Sequence, residues 1–299
     1  MKIAIPWLLL LPLAALAAEP TLPDQPITKS TPADDAAVQA DLPLVPVKSA
    51  SHDFLQRDPD RYSTVAVASG FSAHRPMYVL PFTYSPDYHG RHTEVEFQIS
   101  LKQRLLETNL YFGYTQKSFW QMYNKHQSSP FRESNYNPEI FYRYTPDPIR
   151  FNHFGADLGI EHESNGRDIP FSRSWNRLYI APFQAKGKYL AYLKIWYRLP
   201  EHAKTGPTDE GGDDNPDIGR YYGYTELHLQ REFGGGQQVW AMLRGNPGTG
   251  KGAVSLNYSV PNDEHSLIWC INLWHGYGES LTDYNNSITR LGVGLMFSR

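Results

Sequence analysis

From about residue 77 to residue 298, apolar and polar residues alternate singly in runs of roughly ten residues, each bounded by turn chemistry. About twelve such segments can be marked: 77–85, 93–106, 109–121, 137–146, 151–164, 174–187, 189–200, 219–233, 237–247, 251–261, 265–278 and 289–298. Each is near the ~9–11 residues with which a tilted β-strand crosses a bilayer, some with overhang. The two faces are legible. In the second segment Val95, Phe97, Ile99 and Leu101 oppose Glu94, Glu96, Gln98 and Lys102. In the seventh, Leu193, Ile195, Tyr197 and Leu199 oppose Tyr192, Lys194, Trp196 and Arg198. The eighth sets Leu227 and Leu229 against Glu226, His228, Gln230 and Glu232, and the last aligns Leu291, Val293, Leu295 and Phe297. A water-soluble sandwich alternates in the same way, so the faces alone leave the solvent open.

The links between segments favour one architecture. After odd-numbered segments they are mostly long: 86–92, 122–136, 165–173, 201–218 and 279–288. After even-numbered segments they are short, as at 107–108, 147–150, 188, 234–236 and 262–264, and 248–250 is the exception to the long class. Long and short links in turn are the two rims of a barrel with long outer loops and tight periplasmic turns. The fold class expected is therefore all-β: a transmembrane antiparallel up-and-down β-barrel of about twelve strands.

Composition agrees once the barrel is considered. A mean hydropathy of −0.51 would argue against a membrane helix bundle, but barrel strands average outward apolar with inward polar residues. The 28 Lys plus Arg against 31 Asp plus Glu leave no basic surplus for nucleic acid. Lys2, the apolar run Ile3–Leu13 and Ala15-Leu16-Ala17 predict a secretory signal peptide over residues 1–18. Residues 19–74, rich in Pro, Ala and Asp at their start and without a period, are expected to form a mostly disordered periplasmic leader. The barrel domain then covers 75–299. The single Cys270 cannot form an internal disulfide and reads as a packed small residue.

Chemistry concentrates in His162-Glu163-Ser164-Asn165-Gly166-Arg167 and, after a short loop, Ser172-Arg173-Ser174-Trp175-Asn176-Arg177. Phe154, Ala156, Leu158 and Ile160 form the apolar parity of the fifth segment, and His162 and Ser164 continue that parity. Asn176 shares a parity with Leu178 and Ile180 in the sixth segment. Two adjacent antiparallel strands would then set hydroxyl, imidazole and carboxamide together on the lipid side of the long-loop rim. A polar group aimed at hydrocarbon costs several kcal/mol, so this constellation is a site expectation. Ser164 is a poor nucleophile without a base, which His162 can supply, and an Asn can orient the base without taking charge. The bland alternative is a polar cluster at headgroup level.

These motifs closely resemble the outer-membrane phospholipase A family. The likeness lies in His-x-Ser-Asn-Gly-Arg, in Ser172 to Tyr179, in Ser128-Ser129-Pro130-Phe131-Arg132-Glu133, in Asp213-Asp214-Asn215-Pro216-Asp217, and in Gly276 to Leu281. It covers nearly the whole barrel and leaves out the leader. The resemblance implies a twelve-stranded barrel, calcium-dependent hydrolysis of phospholipid acyl esters (A1, A2 and lysophospholipid) and activity as a homodimer in the bacterial outer membrane, with the catalytic face at the extracellular leaflet. It implies Ser164 as nucleophile, His162 as base, Asn176 as the residue holding the imidazole, and the Gly166 amide as an oxyanion donor. It implies Ca2+ held by the Arg167 carbonyl, the Ser172 hydroxyl and the Ser128 carbonyl of a second subunit, and Gln116 at the dimer interface. One departure stands out: Ile169 precedes Pro170 where the family can carry Asp, so an additional calcium site is not carried over there.

Calcium suits hydroxyl, carbonyl and water oxygens, and so few anionic ligands predict weak affinity in one chain. Gln116 lies on the parity of Leu110 and Phe112, where a symmetry-related Gln116 could partner it. Asp209, Glu210, Asp213, Asp214 and Asp217 form a charge run in the seventh-to-eighth loop, solvated or open to divalent cations. Glu94, Glu96, Lys102, Arg104, Glu226, His228 and Glu232 are expected to form a lumen network that blocks a narrow bore. The competing expectation is a non-enzymatic outer-membrane barrel, either a diffusion channel or an adhesion scaffold.

Overall fold

The computed structural model describes residues 66–67, 71–87, 92–106, 108–146, 154–206, 208–209, 211–262 and 267–299. The expected signal peptide and most of the expected leader lie outside the described residues, as does Glu210. The strands are β1 (Ala66–Val67), β2 (Phe71–Ala73), β3 (Met77–Tyr84), β4 (Thr93–Leu105), β5 (Leu110–Trp120), β6 (Phe131–Tyr144) and β7 (Phe154–Ser164). They continue as β8 (Ser174–Lys186), β9 (Tyr189–Arg198), β10 (Thr225–Glu232), β11 (Gln238–Asn246), β12 (Lys251–Asn262), β13 (Leu267–Tyr277) and β14 (Ser287–Ser298). From β3 to β14 each strand pairs antiparallel with the next, and β14 returns to β3. The result is a closed up-and-down barrel of twelve strands. No described helix is long and apolar enough to cross a membrane; the crossing is made by strands.

Alternation sets the two surfaces. Ile99, Phe112, Ile140, Leu158, Ile160, Leu178, Ile180, Leu243, Leu256 and Leu273 all stand exposed on the outside. Such a continuous apolar band exceeds what a water-soluble monomer shows and matches the lipid-facing belt of a membrane barrel. Tyr142, Tyr144, Tyr189 and Trp269 border it near the short-turn rim, and Tyr84, Phe131, Tyr197 and Tyr224 near the long-loop rim. Both are aromatic girdles of the kind that sits at headgroup depth.

Two segments differ from the sequence expectation. The fourth strand begins at Phe131, six residues earlier than the expected 137. Its upper half, Arg132 to Asn137, is polar on both faces and has turn composition, yet Glu133 to Asn137 pair in register with β5, and Arg132 sits in a bulge. The eighth segment divides: Gly219–Tyr222 is a helical turn, α1, and the strand starts at Thr225. Gly223 ends α1 at φ +67, and a Cβ there would stand 1.9 Å from the Gly245 carbonyl oxygen. Only glycine fits that crossing.

The bore is filled. Glu139 accepts from His74 Nε2 at 2.7 Å, Arg75 Nη2 at 2.9 Å and the Tyr179 hydroxyl. Glu161 pairs with Arg177 and Lys194, Glu96 with Arg290 and Lys117, and Glu94 with Arg132. Buried carboxylates of this kind persist because each is paired; removing one partner costs roughly 3–5 kcal/mol. Of the inward set expected from parity, Glu94, Glu96, Glu226 and His228 take part in ion pairs, while Arg104 donates to the Tyr111 hydroxyl. Sequence reading missed His74 and Arg75, which enter the bore from beside β2. That short strand continues along the free edge of β4, with Ser72 opposite Lys102, and the Ala73 carbonyl accepts from Lys102 Nζ. Paired structure therefore begins ahead of residue 75, where the barrel domain was expected to start.

Candidate active site

β7 and β8 run antiparallel with His162 opposite Asn176 and Ser164 opposite Ser174. Their inward residues are fixed by charge: Glu161 is buried among Arg177 and Lys194, and Glu163 accepts from Trp175 Nε1 and Arg177 Nη2. Alternation then commits the neighbours to the outer face, where Leu158, Ile160, Leu178 and Ile180 are exposed. His162, Ser164 and Asn176 share that outer parity just below the long-loop rim. A cavity of about 280 Å³ lies inside the bore, lined by Arg75, Glu139, Lys194, Glu226 and Arg244. It stands on the other side of the wall from this trio.

His162 Nδ1 is 2.9 Å from Asn176 Oδ1. Asn176 Nδ2 in turn donates to Glu201 Oε1 at 2.9 Å. Glu201 was not anticipated, because it lies in the loop after β9 and no periodicity points to it. Ser164 follows His162 by two residues on the same face, roughly 6.6 Å along a strand. Among the described residues no hydrogen bond joins its hydroxyl to the imidazole. Contacts of this type tighten when substrate enters.

The turn after Ser164 is built around Asn165. Its backbone N–H donates to the Arg173 carbonyl at 3.0 Å, and its Oδ1 accepts from the N–H groups of Arg173 and Arg167. Its Nδ2 donates to the Phe171 carbonyl and the Thr282 hydroxyl. Gly166 follows at φ +61, with a Cβ position only 3.1 Å from the Tyr136 ring. The left-handed backbone and the tight neighbour both call for glycine.

The expected calcium ligands lie on the same rim. Ser172 Oγ donates to Asp214 Oδ2 at 2.5 Å, and Lys204 Nζ approaches Asp214 Oδ1 at 2.5 Å. Ser128 is exposed, left-handed at φ 57, and closes the 3₁₀ turn Lys125–Gln127. Among the described residues no three His, Cys, Asp or Glu side chains cluster as a metal site. The donors are hard oxygens, which fits calcium better than a transition metal. The rest of the described acidic run is partnered: Asp213 pairs with Arg198, and Asp217 accepts from the Tyr284 hydroxyl. Asp209 accepts from the N–H and hydroxyl of Thr205 and from Gly211 N–H, which lowers its carboxyl to about 2. Gln116 lies on the outside of β5 between Tyr114 and Ser118, accepting from one and donating to the other at 3.1 Å.

Comparison with known proteins identifies the family of this barrel. A model of the phospholipase A1 family matches residues 61–297. The chain belongs to that family. The phospholipase A1 of Escherichia coli K12 is 40% identical over 224 residues, covering 70% of this chain and 71% of the relative. The Salmonella typhi outer membrane phospholipase, a dimer with bound calcium, superposes with a TM-score of 0.66 at 34% identity, over 82% of this chain and 95% of that one. Outer membrane phospholipase A of Escherichia coli, in an active-site mutant with asparagine replaced by alanine, gives 0.67 at 35% identity, over 82% and 95%. As a member of the phospholipase A1 family the chain is an ester hydrolase, and its closed barrel is that of an outer-membrane protein.

Proposed function

We propose that this phospholipase hydrolyses acyl esters of phospholipids and lysophospholipids in the outer leaflet, as a calcium-dependent homodimer. The observation that carries the reading is the 2.9 Å contact between His162 Nδ1 and Asn176 Oδ1 on the lipid-facing parity of two paired strands. A neutral imidazole held through Nδ1–H keeps its basic Nε2 for the Ser164 proton. Ser164 Oγ then attacks the acyl carbonyl while the Gly166 N–H donates to the developing oxyanion. The imidazolium returns its proton to the departing lysophospholipid oxygen. A water deprotonated by His162 opens the acyl-enzyme to fatty acid and regenerates the hydroxyl.

Calcium, held by the Ser172 hydroxyl, the Arg167 carbonyl and the Ser128 carbonyl of a second copy, would add positive charge near the oxyanion. Asp214, hydrogen-bonded to Ser172, is placed to strengthen that set. The exposed position of Ser128 on the rim suits donation to a neighbouring subunit, and a relative solved as a dimer with bound calcium supports a calcium-dependent dimer. Gln116, on the outer face of β5, suits a symmetric contact within the membrane. Secretion would follow from the signal peptide expected at residues 1–18.

The test is a lipase assay of refolded wild type beside Ser164→Ala in mixed micelles with calcium. Wild type should release fatty acid and S164A should not, while both keep a heat-modifiable, detergent-stable barrel. Activity retained by S164A removes the assignment. Conductance in a planar bilayer without fatty-acid release by wild type would favour the diffusion-channel reading instead.

A further inference from the structure

We propose that Glu201 is a positioning residue for this reaction, acting through Asn176 to fix the tautomer of His162 and to supply the negative charge that an amide lacks. The proposal rests on the serine-hydrolase reading above. Asn176 Nδ2 donates to Glu201 Oε1 at 2.9 Å, while its Oδ1 meets His162 Nδ1 at 2.9 Å. The two ends of a carboxamide have nearly the same shape, so Asn176 alone could present either one to the ring. A carboxylate only accepts. With Glu201 on one side, the NH2 end must turn toward it and the carbonyl end must face the imidazole. His162 then carries its proton on Nδ1, which leaves Nε2 basic for Ser164. Reversal of the amide would set two acceptors face to face at Glu201, and its NH2 end would then meet His162 only in the tautomer that leaves Nδ1 bare and Nε2 protonated.

Glu201 is itself held in place. Leu199 N–H donates to the Asn176 carbonyl at 2.8 Å, and Asp213 N–H donates to the His202 carbonyl at 2.9 Å, so backbone bonds bracket the residue. Among the described residues no Lys or Arg pairs with Glu201. Nearby charges are committed elsewhere: Arg198 to Asp213, Arg177 to Glu161 and Glu163, and His202 to Asp209. The Glu201 charge is therefore left to polarise the Asn176 amide. An N–H donated to a carboxylate makes the carbonyl end of the amide a stronger acceptor, which favours the imidazolium formed as Ser164 attacks.

The experiment measures kcat and KM for wild type, Glu201→Ala, Glu201→Gln, Asn176→Ala and the Asn176→Ala/Glu201→Ala double variant, in calcium-containing mixed micelles. Heat-modifiability serves as the folding control. Outer partners of a functional imidazole act on the order of tenfold, so E201A should lower kcat about tenfold with KM unchanged. E201Q keeps an acceptor without charge and should fall between wild type and E201A. In the N176A background the second substitution should cost nothing further, since its route to the ring is gone. A wild-type kcat in E201A, or a full independent loss in the N176A background, overturns the positioning role. An inactive wild type would instead overturn the hydrolase reading beneath it.

Discussion

Asn176 shows how much of a site one amide can organise. Its carbonyl end meets His162, its NH2 end meets Glu201, and its backbone carbonyl anchors Leu199 at the start of the next loop. Asn176→Ala removes the orienting contact while leaving Ser164 and His162 on their strand. The expected loss in kcat is about a hundredfold, at the lower end of what a positioned base contributes, with the barrel intact by gel mobility. Near-wild-type turnover would show that the imidazole needs no partner. His162, Ser164 and Asn176 were legible in the sequence because parity and motif pointed to the same face. Glu201 was not, since a loop residue 25 positions downstream leaves no period to read. Asn165 was present in the motif, but its four hydrogen bonds to the turn become visible only when the loop is folded.

At the level of elements, alternation located every barrel strand, and the errors fall where composition and pairing disagree. The upper half of β6 is written in turn residues, yet Glu133, Asn135 and Asn137 are buried inside the wall and supported from β5. In α1 the reverse holds. Tyr221 and Tyr222 look like strand residues, but Tyr222 is buried against Trp175, with ring centroids 5.1 Å apart, and its hydroxyl donates to the Gly278 carbonyl. Tight spots on the strands carry their own prediction. A Cβ at Gly159 would stand 2.7 Å from the Tyr179 ring and 2.8 Å from the Ile140 carbonyl oxygen. Gly159→Val should push Tyr179 off Glu139 and destabilise the barrel by about 1–3 kcal/mol, as overpacking does. Urea unfolding in micelles should give a lower midpoint, and an unchanged midpoint would contradict the packing described.

For the whole molecule, the bore carries the polar lining expected from parity around a cavity of about 280 Å³, while the segment that enters it beside β2 was hidden. Glu94, Glu96, Lys102, Glu226 and His228 all sit on the parity that faces inward, so the network was foreseeable from alternation. Which cation meets which carboxylate was not, and neither were His74 and Arg75. Pairing across a barrel depends on register and tilt, which a linear pattern does not encode. The charged interior and the outward trio have a joint consequence for kinetics. On the proposed reading substrate arrives sideways, by diffusion within the sheet of amphiphiles around the wall, so encounter is two-dimensional. Turnover should follow the mole fraction of ester in that surface and not its bulk molarity. Adding inert detergent at constant total ester should slow the reaction in proportion to the dilution; a rate indifferent to it would mean that the ester reaches Ser164 from water.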